Sequence, residues 1–315
     1  MEKFHQVESQ EDITIAQEKH EIQPVISKEQ FIKIAERVVE EIDYGVLESC
    51  FAEIQRRSLV ATNTLQIKRE HVRLIEDGLE SKLSWGGHVL AYFDGTNINI
   101  EIDGGYESLK SRLDENETFA HAEDKVYSQI FNSIVHEFTH LAGYNMEGYD
   151  ESGEHVSVNG VSTISLDEKS SRFGEVINEG ITELIARNIA VEYAVRTGKL
   201  DVHESKHDSY QEECELVEVI VDTLSLGVGV SKELVWNSLV QAYMSGLDIT
   251  SPEFLENMGE TLNSDLFSSV AFARITNLWD AVYNRRSTNI PDLVQKFKEL
   301  KETLEHEDHA KKETE

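Results

Sequence analysis

The chain has 315 residues, enough to bury one good core or two small lobes. Sixty acidic residues against twenty-nine basic ones give a formal net charge of −31, which argues against nucleic acid and anionic membranes as partners and for a solvated acidic surface. Two cysteines, Cys50 and Cys214, cannot build a disulfide framework, no apolar run approaches the roughly 20 residues that span a bilayer, and no secretory signal opens the chain; the expected location is the cytoplasm, with non-classical delivery left open.

Residues 1–26 are polar and acidic and are expected to form a loose arm. Ser27 with Gln30 three residues later has the pattern of a capping box, opening a helix through Phe31, Ile32, Ile34, Ala35, Val38, Val39 and Ile42. A second helix is predicted over about Val46 to Ser58. Val89 to Phe93 and Asn97 to Asp103 flank Asp94-Gly95 and read as a hairpin, with Ile98, Ile100 and Ile102 on one face of its second arm. That arm is either an edge strand able to take an extended peptide or a plain structural strand. From Asp124 to Leu141, Val126, Tyr127, Ile130, Phe131, Ile134, Val135, Phe138 and Leu141 recur at helical spacing, and Gly143 is a plausible stop. His155 to Ser165 alternates around Asn159-Gly160, a second hairpin. A long helix follows over about Phe173 to Thr197, with Val176, Ile177, Ile181, Leu184, Ile185, Ile189 and Ala190 inward. Further helices are predicted over Tyr210 to Gly227, after the cap Ser231, over Phe254 to Val282, and from Pro291 onward. The fold class is mainly α with a small antiparallel or mixed sheet, α+β. The expected division is an arm (1–26), a lobe over 27–200, a helical C-terminal lobe over 201–304 and a charged flexible tail over 305–315.

The most informative stretch is His136-Glu137-Phe138-Thr139-His140, inside the helix predicted from Asp124. Positions i and i+4 lie one turn apart on one helix face, so His136 and His140 can hold one Zn²⁺ while Glu137 points at the open side of the metal. A catalytic zinc needs a third protein ligand. The next long helix offers Asn178-Glu179-Gly180-Ile181-Thr182-Glu183, in which Glu179 and Glu183 share a face. One can bind the metal while the other accepts the second N–H of a ligating histidine. Gly180 costs about 1 kcal/mol relative to Ala in a helix interior, which suggests close approach of another backbone such as the first histidine-bearing helix.

These two motifs together resemble the gluzincin zinc metallopeptidases, the thermolysin-like clan, over about Tyr92 to Ile189. The resemblance implies a zincin-like core, one zinc per chain, His136, His140 and Glu179 as its ligands, Glu137 as general base, and Glu183 and Asn178 as supporting residues behind them. Thirty-nine positions separate His140 from Glu179, more than in thermolysin, and the second hairpin accounts for the difference. The oxyanion-stabilising histidine of that clan has no clear counterpart here.

The expected chemistry is hydrolysis of a peptide or protein substrate by zinc-activated water, with Glu137 moving the proton. Tyr210, at the start of the helix after the ligand helix, is the preferred donor to the oxyanion, or else a packing residue. Tyr144, His203 and His207 are weaker candidates, and Glu175 is the fallback third ligand. Two alternatives stay open: a zincin-fold binding or regulatory protein without turnover, and a zinc hydrolase acting on a non-peptide amide. The sequence leaves the oligomeric state unknown.

Overall fold

A computed structural model of the chain describes residues 25–58, 66–76, 90–110, 112–113, 118–149, 153, 155–165, 172–199, 210–246 and 289–314. It is mainly helical, with two small sheets among the described residues. Ser27 accepts the amide N–H of Gln30 and donates its own amide to the Gln30 side chain, the capping box that opens α1 (Lys28–Glu41). Ile26 and Phe31 sit where a hydrophobic staple would place them, on either side of that cap, and both are buried. This corrects the end of the expected arm: Ile26 belongs to the core, and its carbonyl accepts a hydrogen bond from Tyr106. Residues 1–24 lie outside the described residues. Asp43 caps α2 (Tyr44–Arg57).

The first sheet has three strands, β1 (Val72–Ile75), β2 (Ala91–Phe93) and β3 (Ile98–Glu101), in the order β1-β3-β2. β3 pairs parallel with β1 and antiparallel with β2. The hairpin around Asp94-Gly95 therefore exists, but its second arm is the central strand of the described sheet and not an edge. All four residues of β3 are buried, Asn99 and Glu101 included, so the alternation of the sequence does not mark one wet face. Asn99 satisfies its amide on Asp94 Oδ2 at 2.9 Å. Among the described residues the outer strands of this sheet are β1 and β2. Ile102 opens a helix instead of extending the strand: α3 (Ile102–Lys110) turns the chain where Gly105 lets the backbone lie against Leu90 and Phe31, a contact in which a Cβ would meet Leu90 Cδ1 at 2.7 Å.

α4 (Phe119–Ala142) starts one turn earlier than its apolar stripe, because Thr118 caps the amide of His121. It ends at Gly143, whose N–H still reaches the carbonyls of Thr139 and His140. The second sheet is a meander of β4 (Asn145–Tyr149), β5 (His155–Asn159), β6 (Ser162–Ser165) and β7 (Arg172–Phe173). In the β5–β6 hairpin Asn159 pairs with Ser162, so Gly160 and Val161 form the two-residue turn, one position later than the Asn-Gly signal suggests. Gly160 takes φ 58° as the first central residue, as a type II′ turn requires.

α5 (Glu175–Thr197) packs on α4, and α6 (Gln211–Val228) packs on α5. Gly180 is the close-approach point, but towards α6 and not α4: a Cβ there would lie 2.5 Å from the Glu213 carbonyl oxygen. Ser231 caps α7 (Lys232–Ser245). α8 (Ile290–Thr314) lies along α6 through Leu293, Val294, Phe297, Leu300 and Leu304, with Lys301 reaching Asp222 at 2.8 Å. Its backbone is helical to Thr314, through most of the stretch expected as a charged tail (305–315). The helix expected over Phe254 to Val282 lies outside the described residues. One apolar cluster runs from Ile26 to Leu304 and crosses the expected lobe boundary near residue 200. No helix among the described residues is long and apolar enough to cross a membrane.

Candidate metal centre

The face of α4 that meets α5 carries His136, and His140 follows one turn later at the open end of the cleft. Their ring centroids lie 4.9 Å apart at 76°. Glu179 comes from the second turn of α5 and points between them: its Oε2 is 3.4 Å from His136 Nε2 and 3.4 Å from His140 Nε2. All three donor atoms lie within 4.8 Å of one another. In a tetrahedral zinc site with bonds of about 2.0–2.2 Å, neighbouring ligand atoms are about 3.3–3.6 Å apart. The two edges through Glu179 match that value. His136 Nε2 adds a second test: it is buried and has no hydrogen-bond partner, since 3.4 Å to Glu179 is too long for a good bond. Two imidazole nitrogens and one carboxylate converging around a buried, unsatisfied lone pair fit a zinc ion.

Electrostatics agree with the geometry. Burial pushes the Glu179 carboxyl up, but His140 and His136 override it and hold the group well below the usual carboxylate range. Burial lowers His136, yet the carboxylates of Glu179 and Glu183 push it up to about 10. His140 is raised by Glu179 against the same burial.

The residues behind the ligands differ from one histidine to the other. Glu183 accepts the Nδ1–H of His136 at 2.9 Å and is itself held by Arg187 Nε at 2.8 Å. The sequence motif marks Glu183 for this kind of role. His140 Nδ1 instead meets Asn159 Oδ1 at 3.3 Å, and Asn159 donates to Asn145 Oδ1 at 2.6 Å. Asn159 and Asn145 were not legible as supporting residues; the only signal was Asn159 beside Gly160, which reads as turn chemistry. Asn178 makes its side-chain hydrogen bond elsewhere than on the histidines. Its Oδ1 accepts the Val161 amide at 3.0 Å, which ties the β5–β6 turn to α5. It also lines the cleft with His140, Glu137 and Glu179.

Glu137 lies on the cleft side of α4. Burial raises its carboxyl above the ordinary range, partly opposed by His140 and His136, and the Phe93 backbone N–H of β2 donates to it. It lines, with His140 and Glu179, a cleft of about 490 Å³ walled by Tyr92 and Phe93 on one side and by Asn145 and Asn159 on the other. Glu175 lines the same cleft one turn before Glu179 and is not in the metal group.

Tyr210 stacks flat on His136, with ring centroids 5.1 Å apart and planes 6° from parallel. It is the one non-glycine residue with positive φ among the described residues, at 58°, a left-handed conformation that costs an L-residue energy and here aims the ring. Burial, then Glu179 and Glu137, raise its hydroxyl well above the usual tyrosine range, so it stays protonated. The stacking makes Tyr210 a wall of the centre; it is not among the residues lining the cleft. Tyr144 packs instead against Gly246, where a Cβ would come within 2.3 Å of its ring. His203 and His207 lie outside the described residues.

The largest feature missed by sequence reading is Tyr243 of α7, which carries no motif that marks it. It is fully buried and its hydroxyl lies between the two motifs. It donates to the Thr139 carbonyl at 3.1 Å and lies 2.9 Å from Thr182 Oγ1. No family model matches this chain, and no curated protein or solved structure matches it either.

Proposed function

We propose that the protein is a zinc-dependent hydrolase of peptide bonds with a gluzincin-like centre. The observation that carries the reading is the convergence of His136, His140 and Glu179 from two packed helices, with Glu137 on the cleft side beside them. His136 and His140 bind through Nε2, because Nδ1 of each is already engaged from behind by Glu183 and Asn159. When bound, zinc supplies a Lewis acid for the scissile carbonyl and lowers the pKa of a water towards about 7. Glu137 is the base: it takes a proton from the attacking water and returns it to the leaving amine. The Phe93 amide holds the Glu137 carboxylate in place, and burial keeps its proton affinity above that of a solvated carboxylate. β2 is the described edge beside the cleft, so an extended substrate can pair with it as an added strand.

The test is metal analysis joined to cleavage of a diverse peptide library. Wild type should carry about one zinc per chain and cleave. Glu137→Gln should keep the metal and lose about 10²- to 10⁴-fold in rate, since the amide cannot accept the proton. Wild type that takes up no zinc after reconstitution, or Glu137→Gln with full turnover, overturns the reading.

A further inference from the structure

Tyr243 lies on α7, a helix that contributes none of the three metal-site donor atoms. Its contacts nevertheless reach both helices that supply them and the β5–β6 turn. Its hydroxyl donates to the backbone carbonyl of Thr139, between Glu137 and His140 on α4, at 3.1 Å. The same oxygen sits 2.9 Å from Thr182 Oγ1, next to Glu183 on α5. Thr182 Oγ1 also reaches the Asn178 carbonyl at 2.8 Å, one turn back along α5. The tyrosine ring fills the space left by two glycines. A Cβ on Gly143, at the end of α4, would lie 2.9 Å from the ring, and one on Gly160, in the β5–β6 turn, 2.5 Å from it. Finally, the Tyr243 carbonyl accepts the Tyr144 amide at 2.9 Å, and the Tyr144 carbonyl accepts the Gly160 amide at 2.7 Å.

We propose that Tyr243 is a positioning residue for the metal centre: its buried hydroxyl, bridging Thr139 of α4 and Thr182 of α5, fixes the separation of the histidine pair from Glu179. The inference rests on the zinc reading above. The physics is that of a strut. Apolar packing alone lets two helices slide by fractions of an ångström at little cost, whereas a directed hydrogen bond weakens steeply with distance and angle. Both threonines and the tyrosine are fully buried, so a phenol oxygen that lost its partners would find no water to replace them. Thr139 and Thr182 stand inside the two motifs, so locking them to one atom locks the ligands one residue and three residues away. Through Gly160 the same ring backs the turn that carries Asn159 to His140.

The test uses the full chain, zinc and cobalt(II). Tyr243→Phe keeps the ring and removes the strut; Thr182→Val, a near-isosteric change, removes it from the other side. Zinc affinity by chelator competition should fall about 2- to 10-fold in either variant, the worth of one neutral hydrogen bond. The visible bands of the cobalt-loaded protein should shift, and the double variant should lose little more than either single one, because both cut the same bridge. A variant with lowered thermal stability but wild-type zinc affinity and an unchanged cobalt spectrum overturns the proposal and leaves Tyr243 a packing residue. Should Tyr243→Phe fail to fold, Thr182→Val decides by the same two readouts. Wild type that binds neither metal overturns the zinc reading itself, which is a different failure from an unchanged variant beside a metal-binding wild type.

Discussion

His136 and His140 stand one turn apart on α4, yet two different regions of the molecule hold them. His136 is backed from the helical side: Glu183 of α5 takes its Nδ1–H at 2.9 Å, is 2% exposed, and is clamped by Arg187. His140 is backed from the four-stranded sheet: Asn159 meets it at 3.3 Å and is in turn held by Asn145, on the exposed strand β4. One support is charged, short and dry. The other is neutral, longer and at the rim of the cleft. Charge-assisted bonds are roughly twice as strong as neutral ones, and more so where water is excluded. On the zinc reading, the helical side is expected to contribute more to metal affinity than the sheet side, which mainly orients one ring.

Several substitutions break or sharpen this contrast. Glu179→Ala should have the largest effect, because Glu179 alone faces both histidines, at 3.4 Å each. Tight zinc should disappear from elemental analysis; a variant that keeps wild-type zinc would put the third ligand elsewhere, with Glu175 next. Glu183→Ala should follow, with zinc affinity lowered about 10- to 100-fold in competition with a chelator.

pH dependence distinguishes the two sides in a second way. In the metal-free protein burial lowers both histidines, but the carboxylates override it and raise both, His136 to about 10. Protons therefore compete with the metal, and fewer are bound as pH rises. Zinc affinity should climb steadily from pH 6 to pH 8. Glu183→Gln removes a charge that favours the proton on His136, so its slope should be flatter, whereas Asn159→Ala should leave the slope as in wild type. Equal slopes in all three proteins would show that Glu183 is not ionised beside His136.

At a single pH, Asn159→Ala should cost about 2- to 10-fold in zinc affinity, the worth of one neutral hydrogen bond. A loss as large as that of Glu183→Ala would erase the proposed asymmetry. Arg187→Ala should be the smallest, about twofold, since an i,i+4 pair with a partly exposed partner contributes little. A loss above tenfold would mean that Arg187 holds Glu183 in place far more firmly than an exposed i,i+4 pair does.

Much of this site could be read before any coordinates. The spacing of His136 and His140 on an apolar stripe, and of Glu179 and Glu183 one turn apart, are local facts of helical geometry, and they place four side chains correctly on two helices. The capping box at Ser27 and Gln30 and the stop at Gly143 are equally local. Readings that depended on neighbours fared differently. The second arm of the first hairpin looked like an edge because β1, its parallel partner, had not been assigned, and Gly180 was matched to α4 although α6 is the helix that approaches it.

The sequence by itself determined which residue types sit at one-turn spacing, two histidines on one helix and two carboxylates on the next, because a helix repeats every 3.6 residues wherever it lies. Only the tertiary structure decided what stands behind each ligand. Asn159 reaches His140 across 19 positions, Glu183 reaches His136 across 47, and Tyr243 reaches Thr139 across 104. Such pairings leave no periodic trace. The Glu183 and Tyr243 pairings lie where the packing of α4, α5 and α7 buries both partners, and a polar group left there must find its partner wherever in the chain that partner happens to be.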